Sequence, residues 1–347
     1  MKAAVYPGSG KPLVIETLPD PEPGRRDLVI RVHRCGVCGT DLHMTEGHAF
    51  QYPAGCVPGH EYAGEVVAVG ADVNDWKAGD LLTALPSTGC GHCEACAHGN
   101  LVLCRNAPGV MGGFAEYLRV PAEVAVKLPA ILSLADGALV EPMAVGLYGV
   151  RQARLGPGSK VLVLGAGSVA LCVVWWARRL GAARIVVASR SARRAEMALA
   201  MGADAFVTSG EAEDQAVVAA LGGGPDLVFE CVGSPGLLGA AIRHACTLGT
   251  VVSMGFCTKP DPIIPAMAGY KGVSLLFPVG YTLADFHQVA DLMDKGHVDP
   301  KLMITSVIGL GELPAALAAL RGPNTETKVH IAPSGGAGLG QDLWLQP

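Results

Sequence analysis

Residues 160–170 read K-V-L-V-L-G-A-G-S-V-A. A short aliphatic run, a Gly-x-Gly turn and a small residue at the third glycine position describe a strand that turns into the start of a helix. The apolar stretch through Trp175 to Leu180 continues as that helix, and I-V-V-A at 185–188 supplies the next strand. Together they make one βαβ unit, whose helix N-terminus offers unpaired N–H groups to a pyrophosphate. Ala170 takes the third motif position as a close helix–strand contact. Gly165, Gly167, Ser168 and Val169 are therefore candidate cofactor contacts.

The same alternation continues outward from this unit. Strand-like runs at 205–207, 227–233, 250–255 and 273–276 complete a mostly parallel, doubly wound sheet that ends near residue 280. Cys231 and Val232, at the end of the run 227–233, join the candidate cofactor contacts. The end of the second strand decides which dinucleotide is expected. An NAD-preferring site places an acid there to bond the ribose 2′-hydroxyl, whereas residues 188–194 read A-S-R-S-A-R-R, with no acid before Glu196. Ser189 can hydrogen-bond a 2′-phosphate and Arg190 can pair with it. Arg194 is a further candidate, and at least one of Arg193 and Arg194 reads as a solvated helix face. NADP(H) is expected over NAD(H).

Upstream, short β-branched runs at 13–16, 27–32, 63–70 and 81–85, punctuated by Pro and Gly, suggest a small antiparallel barrel. Cys90, Cys93, Cys96 and Cys104 follow, spaced C-x2-C-x2-C-x7-C. Four thiolates in one short loop suit a closed tetrahedral structural zinc, and an iron–sulfur cluster uses the same ligand set. Residues 35–61 contain C-G-V-C-G-T-D-L-H and then G-H-E. A thiolate (Cys38), two imidazoles (His43, His60) and two carboxylates (Asp41, Glu61) are ligand types that Zn²⁺ prefers, so this stretch reads as half of a catalytic metal site.

Composition bounds the rest. A chain of 347 residues, half of them hydrophobic and few aromatic, suits about two sheet-and-helix domains and excludes a disordered chain. A net charge of −5 supplies no basic field, so no nucleic-acid partner is expected. The run at 161–177 contains two glycines, ends in Arg178-Arg179 and falls short of the ~20 residues of a membrane span. No apolar segment precedes Pro7, so no secretory leader is expected. Eleven cysteines, four of them clustered, point to metal in a reducing compartment and to a cytoplasmic protein.

Taken together, G-V-C-G-T-D-L-H (36–43), G-H-E (59–61), the four-cysteine lobe, E-P-M-A-V (141–145) and G-A-G-S-V-A (165–170) resemble the medium-chain dehydrogenase/reductase superfamily, zinc-dependent alcohol dehydrogenase type. The combination at 59–61 and 141–145 resembles its sorbitol and threonine dehydrogenase branch. The resemblance implies an α/β chain with a GroES-like β-barrel catalytic domain at 1–150 and a Rossmann domain at 151–284. It also implies a return to the catalytic domain at 285–333, a tail at 334–347, and a cleft between the domains. By resemblance, Cys38 and His60 are zinc ligands, with Glu61 and Glu141 the third ligand and its partner through water, in either order. Asp41 is a supporting carboxylate. Thr40 and His43 occupy the positions of a hydroxyl-to-imidazole proton relay.

The expected activity is zinc-dependent hydride transfer between a secondary or aromatic alcohol, or the matching carbonyl, and NADP(H). An NAD-linked polyol or amino-alcohol dehydrogenase is the alternative, and a non-catalytic nucleotide-binding redox sensor the remote one. Residues 45–52, Tyr148 and residues 277–281 are expected to set substrate choice. Two zincs per chain and a homodimer or homotetramer complete the expectation, with no membrane partner.

Overall fold

The computed structural model describes the chain except for Ser9, 47–50, Pro108 and 336–347; most of the tail and the middle of the expected substrate loop thus lie outside the described residues. Two compact units result. The first comprises Met1–Glu141, Tyr281–Asp294 and the described residues from Ile304 on, and the second Pro142–Gly280 and Lys295–Met303. The expected boundary at 150/151 lies downstream of the observed one, which falls inside a single helix, Leu134–Gln152. Residues 295–303 return to the second unit, because Trp175 Nε1 donates to Val298 O at 2.9 Å and the His297 ring lies 5.7 Å from Trp175.

Strands of the first unit are β1 (Lys2–Val5), β2 (Val14–Thr17), β3 (Asp27–Gly36), β4 (Glu61–Val69), β5 (Leu81–Ala84), β6 (Tyr117–Pro121) and β7 (Ala125–Lys127). The second unit contributes β8 (Lys160–Leu164), β9 (Arg184–Ser189), β10 (Ala205–Thr208), β11 (Leu227–Glu230), β12 (Thr250–Ser253) and β13 (Ser274–Leu276). The chain then returns through β14 (Ile304–Gly309) and β15 (Lys328–Ala332).

In the first unit β1 and β2 pair by themselves, and a larger sheet runs β14-β15-β3-β4-β5-β7 with β6 on β3. Every pairing in it is antiparallel except β14–β15. The antiparallel expectation is corrected there, because β14 and β15 are joined through the helix Leu313–Leu320, the kind of crossover a parallel pair needs.

In the second unit all pairings are parallel, in the order β10-β9-β8-β11-β12-β13. Counting from β8, this is the dinucleotide-fold order 3-2-1-4-5-6. β8 is central, and its aliphatic run is buried, as a parallel strand covered on both faces requires. The helix Ser168–Arg179 buries residues 170–177 on all sides. Trp176 Nε1 donates to Met143 O at 2.8 Å, which satisfies its one polar atom. Among the described residues, no helix is long and apolar enough to cross a membrane.

Candidate active site

Cys38 stands just before the helix Gly39–Met44 and caps it: Thr40 N donates to Sγ at 3.4 Å, and Cys38 N donates to Asp41 Oδ2 at 2.9 Å. The helix start thus fixes the thiol. His60 and Glu61 lie at the start of β4, where Glu61 pairs with Gly36 of β3. A Cβ on Gly36 would run into Glu61 Oε2, so only glycine lets that carboxylate lie across the strand. Cys38 Sγ, a ring nitrogen of His60 and a carboxylate oxygen of Glu61 come within 4.8 Å of one another.

This donor set fits Zn²⁺, for which thiolate, imidazole and carboxylate are ordinary ligands. A second observation agrees. Among the described residues His60 Nδ1 is buried with no hydrogen-bond partner, and Asp41 Oδ1 stands 3.6 Å away, beyond good hydrogen-bond range. Asp41 is fully buried and accepts from Tyr52 Oη at 2.8 Å, which holds its carboxylate beside the imidazole, the place of a supporting carboxylate. Burial works against its charge, but His60 and the bonds from Cys38 and Tyr52 hold its pKa below the usual carboxylate range.

Glu141 is also buried and accepts from Tyr281 Oη at 2.6 Å. Burial pushes its pKa up to about 7, against the pull of His60. It is not one of the three groups that come within 4.8 Å. Glu61 meets a different partner, since Lys328 Nζ lies 2.7 Å from both of its oxygens. Each carboxylate oxygen keeps a second lone pair, so this pairing does not bar Glu61 from a metal. Thr40 is half-buried with Oγ1 3.5 Å from Cys38 Sγ, and His43 is exposed on the same short helix.

The sulfurs of Cys90, Cys93, Cys96 and Cys104 also lie within 4.8 Å of one another. Measured pairs are 4.0 Å (Cys90–Cys96), 3.5 Å (Cys93–Cys96) and 3.7 Å (Cys93–Cys104). Four sulfurs about 2.3 Å from a tetrahedral ion stand about 3.8 Å apart. The lobe therefore fits a single ion; a cluster of several irons would hold its cysteines farther apart.

The second unit carries a pocket of about 810 Å³ at the carboxyl ends of β8, β9 and β11, where a doubly wound sheet binds its ligand. Gly165, Gly167, Ser189, Arg190, Arg194, Cys231 and Val232 line it. Gly165 has φ +104°, and a Cβ there would strike Val232, so the turn needs glycine. Ser168 and Val169 open the helix beside the pocket without lining it. The strand expected at 227–233 ends at Glu230, because Oε1 of Glu230 accepts from Val232 N (2.7 Å) and Gly233 N (2.9 Å) and bends the chain. Glu213 and Asp214 line the same pocket, but His244 Nε2 lies 2.9 Å and 3.4 Å from them.

Four residues had gone unassigned or were assigned elsewhere. Tyr52 and Tyr281, expected to face substrate, are buried partners of Asp41 and Glu141. Lys328 lies in the segment 285–333 expected to return to the catalytic domain, with nothing there to mark it, and Arg243, on the helix Leu237–His244, lines the nucleotide pocket without a motif.

Comparison with known proteins places this geometry. Residues 24–130 match the alcohol dehydrogenase GroES-like domain, and residues 168–295 the zinc-binding dehydrogenase domain. Sorbitol dehydrogenase of Bacillus subtilis (strain 168) is 31% identical over 96% of this chain and 98% of its own length. (R,R)-butanediol dehydrogenase of the same organism is 33% identical over 96% and 100%. A crystal structure of a zinc-binding dehydrogenase from Sinorhizobium meliloti 1021 bound to NADP superposes with a TM-score of 0.87, at 32% identity over 96% of this chain and 99% of that one.

Proposed function

The chain belongs to the zinc-dependent alcohol dehydrogenases of the medium-chain dehydrogenase/reductase superfamily, and on that footing we propose that it transfers hydride between a secondary or aromatic alcohol and NADP(H). The observation that carries the cofactor reading is the wall of the nucleotide pocket. Ser189, Arg190 and Arg194 line it at the end of β9, where an NAD-preferring site would place an acid. Of the three acids that also line the pocket, Glu213 and Asp214 face His244 and Glu211 is exposed. A similar structure at 32% identity binds NADP, which supports the same choice.

At the other centre, Cys38, His60 and Glu61 would hold the catalytic zinc, with Glu141 as the carboxylate alongside. Cys90, Cys93, Cys96 and Cys104 would hold a second, structural one. When bound, zinc supplies the Lewis acidity that polarises the substrate oxygen, and the nicotinamide supplies or takes the hydride. The chain's own contribution is placement and proton handling. Asp41 and Tyr52 fix the His60 ring, Cys38 is fixed by the helix it caps, and Thr40 and His43 lead a proton from the buried centre toward solvent. His43→Ala should slow alcohol oxidation by up to about 10²-fold below neutral pH. The loss should narrow at high pH, where hydroxide takes the proton instead; an unchanged pH–rate profile would remove the relay.

Support for the substrate class comes from the apolar content of residues 44–57 and from the butanediol dehydrogenase relative, whose named substrate is a secondary alcohol. The sorbitol dehydrogenase relative favours the second reading, an NAD-linked polyol or amino-alcohol dehydrogenase. A panel of secondary alcohols, aromatic alcohols, polyols and their carbonyls, assayed separately with NADP(H) and NAD(H), decides between them. Best turnover of a polyol with NAD would replace the first reading with the second.

Eleven cysteines, none of them in a disulfide among the described residues, suit the reducing cytoplasm. A homodimer or homotetramer is part of the same reading: β13 is the last strand of its sheet, and Tyr270, Phe277 and Val279 near it are 92%, 62% and 55% exposed. An uncovered apolar strand edge invites a second copy. Light scattering should give two or four chain masses, and a single chain mass would remove this element.

A further inference from the structure

Lys328 is 1% exposed, and lysine is almost never buried so deeply unless it is paired. Its ammonium has three N–H donors, and each has an acceptor: the two Glu61 oxygens at 2.7 Å and Val37 O at 3.2 Å. These partners converge because β3 lies between β15 and β4, with Gly36 opposite both His330 and Glu61. One cation thereby grips the residue before Cys38 and the residue after His60.

We propose that Lys328 is a positioning residue that stops Glu61 from closing on the metal with both oxygens, and so keeps a coordination position open for substrate. The proposal rests on the zinc-dependent reading of the Cys38 centre. A catalytic zinc needs three protein ligands and one open position, and a thiolate, an imidazole and a Glu61 carboxylate bound through both oxygens would fill every position. With Nζ bridging Glu61, one lone pair on each oxygen is engaged, and the carboxylate can offer the metal only what remains. Nζ lies 2.7 Å from both oxygens, on the edge that a chelating metal would occupy, so binding through both would displace the ammonium and leave it buried without its partner, which is strongly disfavoured. Among the described residues, Glu141 has no cation hydrogen-bonded to its oxygens; its hydrogen bond comes from the neutral hydroxyl of Tyr281.

Cobalt(II) substituted for zinc reads this directly, because its visible bands report coordination geometry. The bands of the Cys38 centre are those that His60→Ala abolishes. In Lys328→Met they should lose roughly half their intensity or more, as the ion gains an oxygen and leaves tetrahedral geometry. Zinc affinity, measured by competition with a chromophoric chelator, should hold or tighten, while turnover falls by about 10–100-fold. Lys328→Arg keeps the cation and should keep the wild-type bands. If Lys328→Met does not fold, Lys328→Gln keeps a hydrogen-bond donor without the charge and should weaken the bands in the same direction; unaltered bands there overturn the proposal. Unaltered bands in Lys328→Met, or joint loss of zinc affinity and turnover, also overturn it. A wild-type protein that takes no cobalt at the Cys38 centre instead overturns the zinc-dependent reading beneath it.

Discussion

Cys38→Ala should lower kcat/KM for alcohol oxidation by on the order of 10³-fold or more and leave one zinc per chain. The magnitude follows from what the centre supplies. Lewis-acid stabilisation by a bound metal is worth several kcal/mol, and each 1.36 kcal/mol is about a decade in rate. The substitution also removes the acceptor for Thr40 N at the start of the helix Gly39–Met44. Cys38→Ser separates the two effects, since it keeps a capping oxygen while replacing a soft ligand with a hard one. If zinc content falls and turnover falls with it in both variants, ligation is the cause. Full activity in Cys38→Ala would place the reacting oxygen somewhere else in the molecule.

Arg190→Ala should raise KM for NADP(H) by about 10–100-fold and leave KM for NAD(H) nearly unchanged. Hydrogen bonds to a charged group contribute about 1.5–3 kcal/mol, which is one to two decades in affinity, and NAD has no 2′-phosphate to lose them. Ser189→Asp should go further, because a carboxylate at the end of β9 repels the phosphate and bonds a free ribose hydroxyl. Steady-state kinetics with both nucleotides check this. Equal losses with NADP and NAD would show that Arg190 serves the pocket in general and does not read the phosphate.

Local signals made much of this architecture legible. The turn at Gly165 needs a glycine that the strand–turn–helix pattern announces, and the resulting sheet has the strand order expected of it. The four-cysteine spacing foretold a lobe whose sulfurs do come together. Cys38 and His60 were legible as potential ligands from residue type, and the structure adds why Gly36 precedes them: the Glu61 carboxylate occupies the space a side chain would need.

What stayed hidden depends on contacts distant in sequence. Lys328 reads as an ordinary strand lysine, since the Glu61 that neutralises it lies 267 residues away. Tyr52 and Tyr281 look like pocket residues because tyrosine suits binding surfaces, whereas here each satisfies a buried carboxylate. Strands β1, β6 and β7 are short, and their pairing with β2, β3 and β5 stabilises them more than their own composition does. Residues 295–303 pack with the second unit through Trp175, a contact that no periodicity could signal.

The central claim is that turnover requires a metal held by Cys38 and His60 and not the metal of the cysteine lobe. Stepwise removal of zinc by a chelator, with metal content and NADP-linked alcohol oxidation followed on the same samples, tests it most directly. Two zincs per chain at the start, and activity that vanishes as the first is lost while the second stays bound and the fold stays intact, is the predicted result. Activity that survives the loss of both zincs, or that falls only with the second, would contradict it.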